Sequence, residues 1–561
     1  MPSPCNARAP ISCRALIVLS LLLLAAHAPA FMNDGIFGDS WLVLRAGRDY
    51  VPNLDFLWHG AGHPVLYLYY SAANLTNVPV VVMQMMALVA VLLGAVSLSL
   101  AAVRAGLLDP MEAIGFSLIV WTYPGFQVWA DKALAAYVFS FGLFSFGTWL
   151  LMLAFDAKVD AKRARHAGLR IAAALVFLFS FALNSLMMLY PFVMVGLFVA
   201  VWRANDAEHD PIRRLVLSAW RCAAGYPEFV VLPLVYWGAL NIWFKRIGAY
   251  AGYYGIHLPT WPALRSGWNA FFQMGCMNVL ARAGQTAANH WLPFTPVIAG
   301  VVIAAWILRA KGASPRTRTF EIALPLLLGV LLFFALSMPY LIAGIQPTLS
   351  FYETRHLLLF GLPGALLALA VKRLAQGAIG DRAALVGVFG LASVVSIAAL
   401  WNSYVFVQAR VLKQEALSSH LADMPMPAAA VFGVVDGFES LSPRFAPFGL
   451  AEVSGMLHLA WGDHPFFGFS FPGERPTILR EMQSARNIEG SPFRSMDPSG
   501  PQATISLVPG PAAAPDAALA RHYYACRLLA HCDVAALLTQ LADVKVKVGP
   551  IAGVLPLEKS K

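Results

Sequence analysis

The sequence predicts a mostly α, polytopic membrane protein of about eleven transmembrane helices with a small C-terminal extracytoplasmic domain. Three observations predict it. Hydrophobic residues make up 59% of the 561 positions and charged residues 12%, with a mean hydropathy of +0.64, a balance outside that of soluble domains. Apolar segments near the ~20 residues that a bilayer requires recur from the N-terminus to Phe406. After Val407 the polarity is mixed, Pro and Gly are frequent, and no further spanning segment occurs.

The first element, Arg14 to Phe31, is a short apolar run flanked by Arg8 and Arg14 and followed by Ala-His-Ala and Ala-Pro-Ala. A cleaved signal peptide has this form, and so does a retained first helix. The retained helix is favoured because an acidic loop follows at once. Ten more spans follow: Pro79–Val103, Met111–Trp129, Ala133–Phe155, Ile171–Ser185, Leu186–Trp202, Ala223–Phe244, Trp291–Leu308, Phe320–Ala343, His356–Val371 and Ala383–Phe406. The run from Ile171 to Trp202 is too long for one untilted span and is divided near Asn184-Ser185.

Charge tests that division. With the N-terminus in the cytoplasm, the inner loops hold Arg104, then Lys158, Lys162, Arg163, Arg165 and Arg170, then Arg203, Arg213, Arg214 and Arg221. Later inner loops hold Arg309, Lys311, Arg316 and Arg318, then Lys372, Arg373 and Arg382. Dense basic clusters thus fall on one side; without the division the later loops change sides. The C-terminus is then outside. The outer face carries a loop Asp34–Pro64, a turn Pro124–Lys132, a loop Lys245–His290, a loop Ile345–Arg355 and the tail. The expected domains are 1–406, in the membrane, and 407–561, a tail of ~150 residues and so large enough for its own core. Pro509–Asp516 reads as a linker or surface loop within it. No repeat or heptad run is seen. The net charge of +10 belongs to loops facing anionic lipid, and no basic soluble face suggests nucleic acid.

Cysteines carry little. Cys526 and Cys532 are close in YYACRLLAHCDV, where a disulfide can form outside the cell, although a helix could keep them apart. His522 and His531 beside them fit no common zinc spacing. Cys5, Cys13, Cys222 and Cys276 suggest no catalysis, and Asn74-Leu75-Thr76 is a sequon abutting the membrane.

The informative stretch is the first outer loop with its lead-in, FMNDGIFGDSWLVLRAGRDYVPNLDFLWHGAGHP, carrying Asp34, Asp39, Asp49, Asp55, His59 and His63. A solvated loop is one reading. The order of residues gives another: Asp39 and Trp41, then Gly47, Tyr50 to Pro52, Asp55-Phe56 and His63-Pro64-Val65-Leu66. That order resembles the first outer loop of the GT-C superfamily of membrane glycosyltransferases, in its protein-mannosyltransferase and aminoarabinose-transferase branch. The resemblance covers about thirty residues closely and the rest of the chain through architecture. The family's acidic pair is Asp39-Ser40 here, so the second carboxylate is missing or supplied elsewhere.

The resemblance implies an integral protein of the bacterial inner (plasma) membrane that takes a sugar from a polyprenyl-phosphate donor. Its catalytic base falls on Asp39, with Asp34 as rival. A carboxylate at the water–membrane boundary, partly desolvated by Phe37 and Trp41, can accept a hydroxyl proton. Asp131 matches a family Asp in the second turn, and it would also serve as a plain helix cap. Lys132 could face the lipid phosphate or anchor its helix. Asp55 and His63 join the substrate-binding candidates.

The run Tyr352-Glu353-Thr354-Arg355-His356 resembles the family's Arg-Tyr helix start, with His356 in place of Tyr. Arg355 either grips phosphate oxygens through its planar fork or pairs with Glu353. In the long loop, Lys245, Arg246, Tyr250, Tyr253, Tyr254, Arg265 and Arg282 suit an anionic lipid, although aromatics there also form the ordinary interfacial belt. No cofactor is assigned, and a divalent cation is left open. The acceptor is a glycan, lipid or protein. The expected function is therefore a membrane glycosyltransferase acting on the outer face. A transporter or flippase of lipid-linked sugars is the alternative, and it would show half-repeats, broken helices and midplane polar residues. A non-catalytic member of the fold is favoured only by Ser40.

Overall fold

The computed structural model describes residues 10–36, 38–45, 52, 54–159, 163–184, 186–205, 210–246, 258–307, 319–349, 351–442, 447–462, 466–471, 500–529 and 533–551. Gly47, Asp49, Tyr50 and Val51 of the first loop, Phe37, and Tyr250, Tyr253 and Tyr254 of the long loop lie outside them.

Apolar composition produces helices first. They are α1 (Cys13–Phe31), the single turn α2 (Ser40–Val43), α3 (Pro64–Asn74), α4 (Pro79–Arg104), α5 (Pro110–Thr122), α6 (Ala135–Val159), α7 (Arg163–Leu183) and α8 (Tyr190–Ala204). There follow α9 (Pro211–Gly225), α10 (Pro227–Trp243), α11 (Trp261–Phe272), α12 (Asn278–Ile307), α13 (Thr319–Ile342), α14 (Gly361–Ile379), the turn α15 (Asp381–Ala384) and α16 (Leu391–Ala422). Pro stands in the first turn of α3, α4, α5, α8, α9 and α10, where its missing N–H costs nothing.

Among the described residues, eight helical runs are long and apolar enough to cross a membrane, and nine if the bent pair α9 and α10 is one span. The expected eleven are reached only with two weaker segments. In the segment expected at Met111–Trp129, α5 stops at Thr122, and Pro124–Ala130 winds as a 3-10 helix. The segment expected at Trp291–Leu308 is the end of α12, which begins at Asn278 and carries Arg282, Gln285 and Thr286 in its first half. The division near Asn184 is present: α7 ends at Leu183, and a 3-10 turn Leu186–Leu189 leads into α8.

Small residues let these helices approach closely. A Cβ on Gly142 of α6 would lie 2.7 Å from the Ala90 carbonyl of α4. At one end of the bundle, buried Glu112 of α5 accepts from Arg373 Nη2 (2.8 Å) and Lys372 Nζ (3.2 Å) of α14, which ties two helices distant in sequence.

The tail forms a second core. Its sheet has strand order β2-β1-β3-β4, with β1 (Val431–Asp436), β2 (Phe467–Phe471), β3 (Gln502–Pro509) and β4 (Ala542–Val548). Strand β1 runs parallel to β2 and β3, and β3 runs antiparallel to β4 with Ile505 opposite Val546. Phe432 and Val434 of β1 face a core made with α17 (Leu450–Trp461), α18 (Asp516–Leu529), α19 (Val534–Leu541) and the last turns of α16. Val435, on the other face, is 41% exposed. The alternating burial of β3 and β4 fits helices on one face of the sheet. Ala409, Leu412, Ala416, Leu417 and Leu421 of α16 belong to this core, and so does Trp41 from the first loop. Cys526 is in a disulfide; Cys532, its expected partner, lies outside the described residues.

Candidate active site

The turn between α5 and α6 is the hub of the site. Tyr123-Pro124 ends α5, Pro124–Ala130 forms a 3-10 helix, and Lys132–Leu134 forms another before α6 begins. A turn this tight leaves backbone groups that its own helices do not satisfy, and side chains of the turn and its neighbours tie it in place. Trp129 Nε1 donates to Tyr404 Oη (2.8 Å), whose hydroxyl donates to His27 Nδ1 (2.7 Å); His27 Nε2 donates to the Trp121 carbonyl (2.9 Å). Three helices, α1, α5 and α16, thus fix one side of the turn.

On another side Gln127 Nε2 donates to the Leu349 carbonyl (2.5 Å) and to Thr354 Oγ1 (2.6 Å). A Cβ on Gly125 would lie 2.6 Å from the Leu357 carbonyl, so only glycine allows this approach. The turn therefore lies against Phe351–Phe360, a 3-10 segment that carries Arg355 and His356.

The first loop closes the remaining side. Ser40 Oγ donates to Asp131 Oδ1 and accepts from Ala133 N (2.9 Å), while Asp131 Oδ1 also accepts from Ala133 N (3.1 Å). Tyr70 Oη donates to the Ala133 carbonyl. Lys132 is fully buried, and its Nζ donates to the carbonyls of Asn33 (3.1 Å) and Ala130 (2.8 Å). The ammonium thus points inward onto the main chain of the first loop.

Asp131 is 3% exposed, and its second oxygen, Oδ2, is buried without a hydrogen-bond partner among the described residues. Burial pushes its carboxyl well above the usual carboxylate range. The bonds from Ser40 and Ala133 oppose that, and the charges of Asp39 and Glu452 add to it. Asp39 is half-buried at the start of α2, beside Ser40. Glu452 belongs to α17, so the tail contributes a carboxylate to this field. It is itself buried and accepts from Arg410 Nη2 of α16 at 2.6 Å.

Asp34, the rival for the base, is exposed and paired with Arg527 of α18, whose guanidinium also donates to the Met32 carbonyl (3.1 Å). Trp41 enters the core of the tail, where a Cβ on Gly455 would overlap its ring.

Arg355 lies 4.0 Å from Glu353, with a side chain 10% exposed; Glu353 is hydrogen-bonded to His356, whose ring stands 4.4 Å from that of Tyr340. The alternative pairing of Arg355 is therefore present, shared with His356. Asp55 and His63 sit at the far end of the loop. Trp58 packs on Tyr67 (5.7 Å) and Phe244 (6.0 Å), and Gly62, at φ +69°, backs onto the Phe244 carbonyl. His63 is half-buried with its Nδ1 covered, and burial together with the Arg246 charge lowers its pKa to about 4. His63 groups with the end of α10, and Asp55 stands at the start of the Phe56–Gly60 turn, whereas Asp39, Asp131 and Lys132 group with the turn between α5 and α6.

Sequence reasoning missed Asn33, Tyr70, Gln127 and Glu452. No motif marks them: Asn33 stands in the lead-in to the first loop but acts through its carbonyl, and the others are single polar residues in an apolar helix, an apolar turn or the tail. Among the described residues no group of three or more His, Cys, Asp or Glu is placed to hold a metal ion.

No protein-family model matches the chain, and no curated protein matches it. Among solved structures it is similar to the crystal structure of ArnT from Cupriavidus metallidurans in the apo state, with 13% identity, a TM-score of 0.27, and coverage of 92% of this chain and 93% of that chain. It is similar to ArnT from the same organism bound to undecaprenyl phosphate at 13% identity and a TM-score of 0.32, with the same coverage. At that identity and superposition, function has to be read from this chain's own residues.

Proposed function

We propose that the chain is a membrane glycosyltransferase that moves a sugar from a polyprenyl-phosphate carrier to an acceptor on the outer face of the membrane. The observation that carries the reading is the hydrogen bond from Ser40 to Asp131. It joins the loop that resembles the GT-C first loop to the turn that resembles the second, with Asp39 and Asp131 as neighbours.

The chemistry follows from their unequal surroundings. Two carboxylates in one field divide their roles when burial differs. Asp131, buried and pushed toward its neutral form, organises the turn; half-buried Asp39 is the base. Its carboxylate takes the proton of the acceptor hydroxyl as that oxygen bonds to the anomeric carbon. The bond from that carbon to the phosphate oxygen breaks, and the phosphate leaves with the electron pair and needs no acid. Asp34 holds the loop to the tail through Arg527 and is not the base. Lys132 fixes the same loop from beneath, through the Asn33 carbonyl. Arg355 faces the carrier phosphate, and the tail, standing over Asp39, helps to bind the acceptor. In this reading the tail and the first loop are extracytoplasmic.

Purified protein given a synthetic polyprenyl-phosphate sugar with labelled sugar, and glycan, lipid and protein acceptors in turn, tests this. Label should appear on one acceptor class. Movement of intact donor between the leaflets of vesicles without transfer would instead support the transporter. Neither activity in folded protein would support a non-catalytic member of the fold.

A further inference from the structure

Helix α9 inverts the pattern of a soluble amphipathic helix. Asp210 caps it by accepting from Ile212 N (2.9 Å) and Arg213 N (3.4 Å). Its polar side faces the protein. Arg214 donates to the Trp202 carbonyl through Nη2 (2.9 Å) and Nε (3.2 Å), with its guanidinium 4.8 Å from the centre of the Trp202 ring. Asn205 Nδ2 donates to Ser218 Oγ (2.9 Å), and Arg221 donates to Asn205 Oδ1. Ser218 and Cys222 are buried beneath. These bonds hold α9 across the C-terminal end of α8.

The opposite side is apolar and uncovered. Ile212 is 73% exposed and Trp220 69%, with Leu215 and Val216 between them also exposed. At 100° per residue these four fall on one stripe with Ala219 and Ala223. Arg213 borders the stripe, and the helix carries three arginines and no acid. At Gly225 the chain turns by 60° into α10. Fifteen residues make a helix of ~22 Å, short of a ~30 Å hydrocarbon core. An apolar stripe bordered by Arg and Trp on such a helix is the form that lies at a membrane surface.

We propose that α9 lies in the plane of the membrane and docks on anionic phospholipid. Ile212, Leu215, Val216 and Trp220 enter the acyl boundary, and Arg213, at the edge of the stripe, meets head-group phosphates. A lipid surface is favoured over a protein partner by charge: Arg213 borders the stripe, and the helix itself carries three arginines and no acid, a balance that suits an anionic leaflet. The span is then α10 alone. This inference is independent of the sugar-transfer reading, since none of these residues belongs to that site.

The full-length protein in vesicles of phosphatidylcholine with phosphatidylglycerol, carrying photoreactive versions of each lipid, provides the test. Adducts mapped to Pro211–Gly225 should come from probes near the head group and should favour phosphatidylglycerol. Arg213→Gln should lower that preference about five-fold, and Trp220→Ser should lower the total yield while leaving the preference intact. Equal adducts from both lipids would overturn the anionic docking. Adducts from chain-end probes alone would make α9 part of a span and overturn the interfacial placement. No adducts from either lipid would leave the stripe to a protein partner and reject the proposal.

Discussion

The hydroxyl of Ser40 is bonded to the carboxyl of Asp131, 91 positions further along the chain. Removing it by Ser40→Ala leaves Asp131 with one donor in a buried site. Losing one buried hydrogen bond costs about 0.5–1.5 kcal/mol, so the thermal midpoint in detergent should fall. Sugar transfer should fall with it, because the first loop loses its register against the turn. A variant with wild-type midpoint and rate would show that the bond organises nothing.

Asp39→Asn keeps size and polarity while removing basicity. Transfer should drop by ~10²–10⁴-fold, the usual cost of losing a general base, in protein that still inserts. Asp34→Asn should cost far less, because it loses only a half-exposed pair with Arg527. Rates for the two purified variants decide the assignment, and the reverse order would move the base to Asp34.

Arg355→Lys keeps the charge but not the fork. If the guanidinium grips phosphate, the KM for the donor should rise while the acceptor KM holds. An unchanged donor KM would leave Arg355 to the pair with Glu353.

His63 makes stability depend on pH. Its pKa is about 4 in the fold against 6.5 when unperturbed, so between those values the unfolded chain binds more protons. Its contribution is complete above pH 6.5 and is lost as pH falls toward 4. Thermal midpoints of His63→Asn should therefore decline less over that window than those of the parent. Parallel curves would refute the role.

Gly455 allows Trp41 into the core of the tail. Gly455→Val overfills that contact, and overpacking typically costs about 1–3 kcal/mol. We expect a lower midpoint and lower transfer together, since the displaced indole carries Asp39 with it. Loss of stability with full activity would separate the loop from the tail.

Most of the membrane region was legible because long apolar runs allow little besides a helix. The division near Asn184 was readable because basic loops had to alternate. The stop at Thr122 was harder: Tyr-Pro-Gly was in view, yet Phe126 to Trp129 kept the run apolar and hid the 3-10 turn. Asp39, Asp131 and Lys132 were legible as sparse charges at segment ends. Their grouping was not. Ser40 looked like a lost acid, and its partner 91 positions away could not be read from spacing. Nor could Glu452, which reaches the site only because the tail folds back onto the first loop.

Helix α16 runs unbroken for 32 residues, ~48 Å of rod against a hydrocarbon core of ~30 Å. Its upper turns are embedded in the sheet domain and its lower turns in the bundle. Such a rod works as a mast. The domain cannot swing on a hinge at the surface, so a force on it is felt as tilt within the bilayer. Membrane thickness, which sets tilt, then sets how the domain leans over Asp39, and a thicker bilayer should hold it more upright.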